Sequence, residues 1–195
     1  DMSLMADVTT QWMQHMVEQK FPPLTPHHTQ AFTVMMMARF YDQYLKHLKP
    51  GEVVKTSKKA KIPLKAFIAQ LATGEGKSIV ISMLAVFLVK LHGMKVHVLE
   101  NNAGLLERDL RTQKPFYERF GIKAGSNLND PELAINYCLK AEINKAFLRK
   151  LVAGTLDEEL KGTILLVDEV DDLIVNERPN NHYVREDSDR TPHLK

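Results

Sequence analysis

Residues 72–78 of this 195-residue chain read ATGEGKS, and this segment is the most informative about its fold. It follows a short apolar run at residues 66–71 and precedes a long apolar segment that begins at Ile79. Gly74 and Gly76 carry no Cβ, so the backbone can turn tightly there and approach an anion closely. A helix that begins at such a turn presents free N–H groups and the positive end of its dipole. The order of strand, glycine-rich turn and helix therefore predicts a phosphate-binding loop.

The lysine and the serine of this loop have separate expected roles. Lys77 would reach the β and γ phosphates of a nucleotide, and the Ser78 hydroxyl would bind Mg²⁺. The general pattern G-x-x-x-x-G-K-[ST] begins with glycine, whereas this chain has Leu71 at that position. The simpler interpretation is a glycine-rich turn ahead of a helix with an incidental lysine. The loop residues predicted to contact nucleotide are Thr73, Gly74, Glu75, Gly76, Lys77 and Ser78.

A second motif, LLVDEVD, occupies residues 165–171. Four apolar residues at 164–167 predict a buried strand, and Asp168 and Glu169 follow it at the end where open α/β sheets bind ligands. We assign Asp168 to Mg²⁺ through water, and Glu169 to orienting and polarising an attacking water. The alternative is an acidic turn that only caps the next helix electrostatically. The predicted catalytic residues are Lys77, Asp168 and Glu169, and the predicted metal ligands are Ser78 and Asp168.

Strand and helix patterns alternate along the chain after residue 66. Strands are predicted at 66–71, 96–99, 122–124, 134–138 and 163–167, and helices at 77–91, 103–120 and 140–152. Strands that alternate with helices of about 10–15 residues predict an α/β fold, a parallel sheet with helices on both faces.

Upstream of the alternating region, two helices are predicted at 2–19 and 29–47. Between them, three prolines mark a boundary. We expect an N-terminal amphipathic helix arm at 1–21, a nucleotide-binding domain at 22–178 and a polar tail at 179–195.

Composition limits the classes of protein to consider. Hydrophobic residues make up 44% of the chain and charged residues 26%, which is typical of a globular domain. The formal net charge of +2 gives no argument for a nucleic-acid partner. A single cysteine, Cys138, excludes an intramolecular disulfide and favours a reducing compartment. No apolar run reaches the roughly 20 residues needed to span a bilayer, and the N-terminus lacks the pattern of a signal peptide.

Four stretches, in the same order, resemble the SecA preprotein translocase ATPases. That family's TGEGKT corresponds to TGEGKS at 73–78, and its VDEVDSILIDEARTP to VDEVDDLIVNERPN at 167–180. Between them, NDYLARRD corresponds to NAGLLERD at 102–109, and ITYGTNNEFGFDYLRD to INYCLKAEINKAFLRK at 135–150. The resemblance implies the N-terminal, DEAD-like nucleotide-binding domain of such a motor. Its fold would be a RecA-like P-loop NTPase domain with an N-terminal helical extension, and its cofactors ATP and Mg²⁺.

A weaker signal precedes the loop. PHHTQ at 26–30 has the P-x-x-x-Q spacing of the Q motif of helicase-like motors, in which the glutamine recognises adenine. By analogy, Gln30 is assigned to adenine, because its amide is donor and acceptor at once. The alternative is an exposed glutamine near a helix N-terminus.

The resemblance also defines the expected partners. The family's YGTNNEFG, which handles the translocated polypeptide or couples it to the nucleotide, becomes YCLKAEIN at 137–144. Polypeptide remodelling therefore stands beside protein translocation as the expected task. No motif of a second RecA-like domain occurs in the sequence. Since that domain supplies arginines across the cleft in this class, we expect binding of ATP and ADP with little turnover by this chain alone.

Two other functions stay open. A nucleic-acid helicase of the same superfamily would show ATPase activity stimulated by RNA or DNA and salt-sensitive binding. The small net charge and the VDEVD motif argue against it. A non-enzymatic interaction module that kept the fold would bind no nucleotide, and the intact set of Lys77, Ser78, Asp168 and Glu169 argues against that. The expected location is the cytoplasm, with peripheral membrane contact left open.

Overall fold

The computed structural model describes residues 2–42, 68–71, 76–156 and 162–170. Its helices are α1 (Met2–Glu18), α2 (His28–Phe40), α3 (Lys77–His92), α4 (Ala103–Glu118) and α5 (Lys140–Val152). Its strands are β1 (Lys95–Glu100), β2 (Ala124–Gly125), β3 (Ile135–Leu139) and β4 (Thr163–Val167).

The four strands form one parallel sheet in the order β2-β3-β1-β4. In the register of β1 and β3, Val96 lies beside Ile135 and Val98 beside Tyr137. Because side chains alternate along a strand, these four point to the same face. The predicted α/β fold with a parallel sheet is therefore confirmed.

One face of the sheet, which we call the closed face, is covered by α3 and α4. The middle of α3 is buried on nearly all sides, as expected of an apolar run interrupted only by Ser82. The second helix, α2, packs against α3 from outside. From α4, Phe116 and Tyr117 add two fully buried rings to this core.

The other face, which we call the open face, carries α5. The only buried residue of α5 is Ile143, which forms a small cluster with Leu99 and Cys138. Leu165 of β4 lies on this face and keeps 42% of its surface exposed. Helices thus lie on both faces, as predicted, but the two faces are covered unequally.

The first helix packs against the rest of the chain rather than projecting from it. Trp12 is buried and meets Phe116 edge-on, with ring centroids 5.0 Å apart. Arg119, just after α4, donates to the side chains of Gln11 and Gln14 and pairs with Glu18. Trp12 therefore anchors this helix against α4.

Several predicted boundaries differ from the structure. Residues 68–71, the described part of the strand predicted at 66–71, form no strand. Regular α-helix ends at Phe40, and a π-turn occupies 41–42. Residues 43–67 and the tail at 179–195 lie outside the described residues. Within the described part, no helix combines the length and apolarity needed to cross a bilayer.

Candidate nucleotide-binding site

Gly76 forms the bend from which α3 begins. Its φ of 70° and ψ of 55° lie in the left-handed region, which residues with a Cβ adopt at a cost. A Cβ at this position would also lie 2.5 Å from Nε2 of Gln30, too close for any real contact. The left-handed conformation therefore favours glycine here, and a Cβ would have to displace the end of the Gln30 side chain.

Gln30 lies directly beneath this bend. Its Nε2 donates to the carbonyl of Gly76 at 3.4 Å, and its Oε1 accepts from the backbone N–H of His27 at 2.8 Å. Only 5% of Gln30 is exposed, so the alternative of an exposed glutamine is wrong. Contact with adenine stays a prediction.

Lys77 and Glu169 are close in the structure, although 92 residues separate them in the sequence. The two sequence motifs predicted that they share a site. Their Nζ and Oε1 atoms are 4.0 Å apart, and Asn101 Nδ2 donates to the other oxygen of Glu169 at 3.3 Å. Glu169 has a φ of 51°, a conformation that non-glycine residues rarely adopt. Such strained residues cluster at functional sites.

Ser78 and Asp168, the two predicted metal ligands, line the same small cavity. Its volume is about 10 Å³, close to the space of one water molecule. Glu100, Asp109 and the amide of Gln113 also line it. Oxygen atoms of this kind suit Mg²⁺, which takes one or two protein ligands and keeps several of its waters. The donor set therefore fits the ion.

Residues 60–181 match the family model of the SecA DEAD-like domain. This chain belongs to that family. Relatives include the protein translocase subunit SecA of Chlorobaculum tepidum, 36% identical over an alignment of 121 residues that covers 56% of this chain and 12% of the relative. The subunit of Chromohalobacter salexigens is 32% identical and that of Pseudomonas putida 35%, over the same share of this chain and 13% of each relative. The aligned region thus spans about an eighth of these relatives.

Some residues that this SecA DEAD-like domain shares with the family motifs have structural roles. Asn102 begins α4, where its side chain accepts from the N–H of Leu105 at 2.9 Å. Glu142 plays a similar part in α5 and accepts from the N–H of Leu139 at 3.0 Å. Each satisfies a backbone donor at a helix start. In contrast, Asp109 lies in the middle of α4 and lines the cavity of Ser78 and Asp168.

Glu100 of this SecA DEAD-like domain was not predicted from the sequence to belong to the candidate site. It ends β1, and burial, followed by the carboxylates of Asp109 and Asp168, raises its pKa to about 7. The strand KVHVLE does carry a signal, because an acidic residue ends an apolar strand just as Asp168 follows β4. Recognising it requires the knowledge that β1 and β4 are neighbours in the sheet.

Three predicted loop contacts, Thr73, Gly74 and Glu75, lie outside the described residues. In the described part of this SecA DEAD-like domain, no three His, Cys, Asp or Glu side chains are grouped to hold a metal ion. A site of one hydroxyl, one carboxylate, phosphate oxygens and waters needs no such group. The assignments of Ser78 and Asp168 stay predictions.

Proposed function

We propose that this domain binds ATP with Mg²⁺ and serves as a nucleotide-binding domain of a motor that moves or remodels polypeptides. The observation that carries the proposal is the convergence of four residues from distant parts of the chain. Lys77 and Ser78 begin α3, and Asp168 and Glu169 follow β4, at the same edge of the sheet. Family membership and the likeness to SecA subunits support the same function.

Each residue of the site has a role that its position allows. The first N–H groups of α3 and the bend at Gly76 face the place where phosphate oxygens would lie. Lys77 would neutralise β and γ phosphate charge, and Ser78 and Asp168 would hold the ion, Asp168 through water. When bound, Mg²⁺ supplies positive charge to the phosphates. Glu169 would orient the attacking water.

The pairing of Lys77 with Glu169 bears on how nucleotide would enter. The two side chains are 33% and 54% exposed and only just within ion-pair distance, so their attraction is weak. Lys77 can therefore leave Glu169 for a phosphate at little cost. That exchange would free Glu169 to contact water, so one movement would prepare both groups for their proposed tasks.

Turnover and transport would belong to a larger assembly. The relatives named as SecA subunits are about eight times longer than the region aligned with this chain. We therefore propose that arginines of a second RecA-like domain complete hydrolysis, and that a polypeptide is the moved substrate. A motor of this kind would work in the cytoplasm, with peripheral contact to a membrane.

Calorimetric titration of Mg²⁺-ATP and Mg²⁺-ADP into the chain tests the proposal. The parent should bind both nucleotides. Lys77→Ala should lower the affinity at least tenfold, because it removes the positive charge that neutralises the β and γ phosphates. Lys114→Ala is the matched control, since Lys114 is an exposed lysine of α4 away from the site. A folded parent that binds neither nucleotide would overturn the proposal.

A further inference from the structure

A chain of buried hydroxyl groups leads from β3 to the start of α3. The hydroxyls of Tyr137 and Tyr117 are 2.7 Å apart, and both rings are buried. Tyr117 is also hydrogen-bonded to the hydroxyl of Ser82. Ser82 Oγ in turn donates to the carbonyl of Ser78 at 2.7 Å. Three side chains from β3, α4 and α3 are thus connected to one backbone carbonyl.

The donors of this chain can run in only one direction. A serine hydroxyl has a single hydrogen, and that of Ser82 is directed at the Ser78 carbonyl. Tyr117 must then donate to Ser82, and Tyr137 must donate to Tyr117. Each hydroxyl gives one hydrogen bond, and the oxygen of Tyr137 keeps lone pairs for a further donor.

The chain begins and ends at the same cavity. Tyr137, Ser82 and Ser78 all line the small cavity that Asp168 borders. Gln113 lines it as well, and its Oε1 is buried without a hydrogen-bond partner among the described residues. One water in this cavity could donate both to Gln113 and to Tyr137. The hydroxyl chain therefore forms part of the wall on which the two predicted metal ligands lie.

We propose that Tyr137, Tyr117 and Ser82 are positioning residues, which hold the first turn of α3 so that the Ser78 hydroxyl faces the magnesium of bound ATP. The inference rests on the proposed function, since it concerns the same site. It also gives β3 a direct connection to the nucleotide site, because Tyr137 lies in the middle of that strand. A shift of β3 would be transmitted to Ser78 through three hydrogen bonds.

The serine bond alone would not support this proposal. A hydroxyl that donates to the carbonyl four residues earlier is an ordinary feature of helices. Thr10, Thr33 and Thr112 make the same bond at exposed positions. The distinguishing feature of Ser82 is that it is buried and bonded to a tyrosine of another helix, which is bonded to a tyrosine of the sheet.

The first test measures amide hydrogen exchange in the chain without nucleotide. Tyr137→Phe and Ser82→Ala should each speed exchange at residues 79–83 at least about fivefold relative to the last turn of α3, because the first removes one bond of the chain and the second removes two. Tyr41→Phe is the control, a buried tyrosine that packs on His92 at the far end of α3. Unchanged exchange at 79–83 in both variants would overturn the proposed hold on this turn.

The second test separates positioning from mere stability. Tyr137→Phe should weaken binding of ATP about fivefold in the presence of Mg²⁺ and leave binding in EDTA unchanged. A purely structural role would lower the melting temperature and leave the ratio of the two affinities as in the parent, which would contradict the proposal. If the parent binds no nucleotide, the proposed function and the magnesium role both fail, whereas the hold on the turn is still decided by exchange.

Discussion

The closed and open faces of the sheet differ in how completely they are covered. On the closed face, Phe116, Tyr117 and Val98 are fully buried, and α1 and α2 add a further layer outside α3 and α4. On the open face, α5 buries only Ile143, and Leu165 remains 42% exposed. The stability of this domain must therefore come mainly from the closed face, since the burial of apolar area is the dominant favourable term.

The residues of the candidate site belong to the well-covered side. Glu100 and Asp168 continue the alternation of the closed face along β1 and β4. Lys77 and Ser78 begin the helix that covers that face, and Gln30 lies on the helix packed outside it. The packing that stabilises the domain is thus the packing that positions the site.

The largest expected difference comes from one truncation on each face. Phe116→Ala should lower the free energy of unfolding by about 4 kcal/mol, because it empties a fully enclosed ring site. Leu165→Ala should cost about 1 kcal/mol or less, since much of that side chain is already in water. Urea unfolding at equilibrium measures both. Equal losses would show that the two faces contribute alike.

The next largest effect on stability is expected at Glu100, whose carboxyl lies on the closed face. Its pKa is raised from 4.5 to about 7, so the folded state holds this proton more tightly than the unfolded state. The stability it contributes is full below pH 4.5 and is lost as the pH rises through about 7. In metal-free buffer, the free energy of unfolding of Glu100→Gln should therefore rise by about 3 kcal/mol relative to that of the parent as the pH increases from 4.5 to 8. A constant difference between the two proteins across that range would contradict the assignment.

The two ends of α3 allow a smaller and sharper comparison. Gly76 and Gly93 both have positive φ, but a Cβ at Gly93 meets nothing within 4 Å. Gly93→Ala should cost about 1 kcal/mol from backbone strain alone. Gly76→Ala should cost about 2 kcal/mol, because it must also displace the buried amide of Gln30. Thermal unfolding of the two variants side by side gives the difference in stability loss. Equal losses would mean that the Gln30 side chain moves aside without a measurable cost.

The smallest effect on stability is expected at the exposed edge of the site. Glu169→Gln should change the free energy of unfolding by no more than about 0.5 kcal/mol, since its pairing with Lys77 is long and solvated. Chemical unfolding checks this value. A loss of several kcal/mol would show that the pair stabilises the fold and is not held ready for exchange with phosphate.

The alternating core of this fold was predictable from local patterns. β1 was predicted at 96–99 and spans Lys95–Glu100, and α3 was predicted at 77–91 and spans Lys77–His92. Both have long apolar runs, and Gly93 separates them with a positive φ that ends the helix. The approach of Lys77 to Glu169 was predictable too, since strand ends of a parallel sheet share one edge.

What the sequence could not reveal depends on contacts between distant segments. Gln30 was expected at the adenine ring, yet its burial under Gly76 is set by how α2 packs on α3, 46 residues further along. The hydroxyl chain of Tyr137, Tyr117 and Ser82 joins three elements, and no local pattern indicates that they meet. A strand was expected at 66–71, but the described part of that run, residues 68–71, forms none.

The most direct test of the account is to locate bound nucleotide by amide NMR, titrating Mg²⁺-ADP into the labelled chain. The account predicts that the largest shift changes occur at Gly76, Lys77, Ser78 and the turn at 168–169, with little change along α5. Large changes confined to α5 or to the open face, or no change in a folded chain at millimolar nucleotide, would contradict the claim that this edge of the sheet is a nucleotide site.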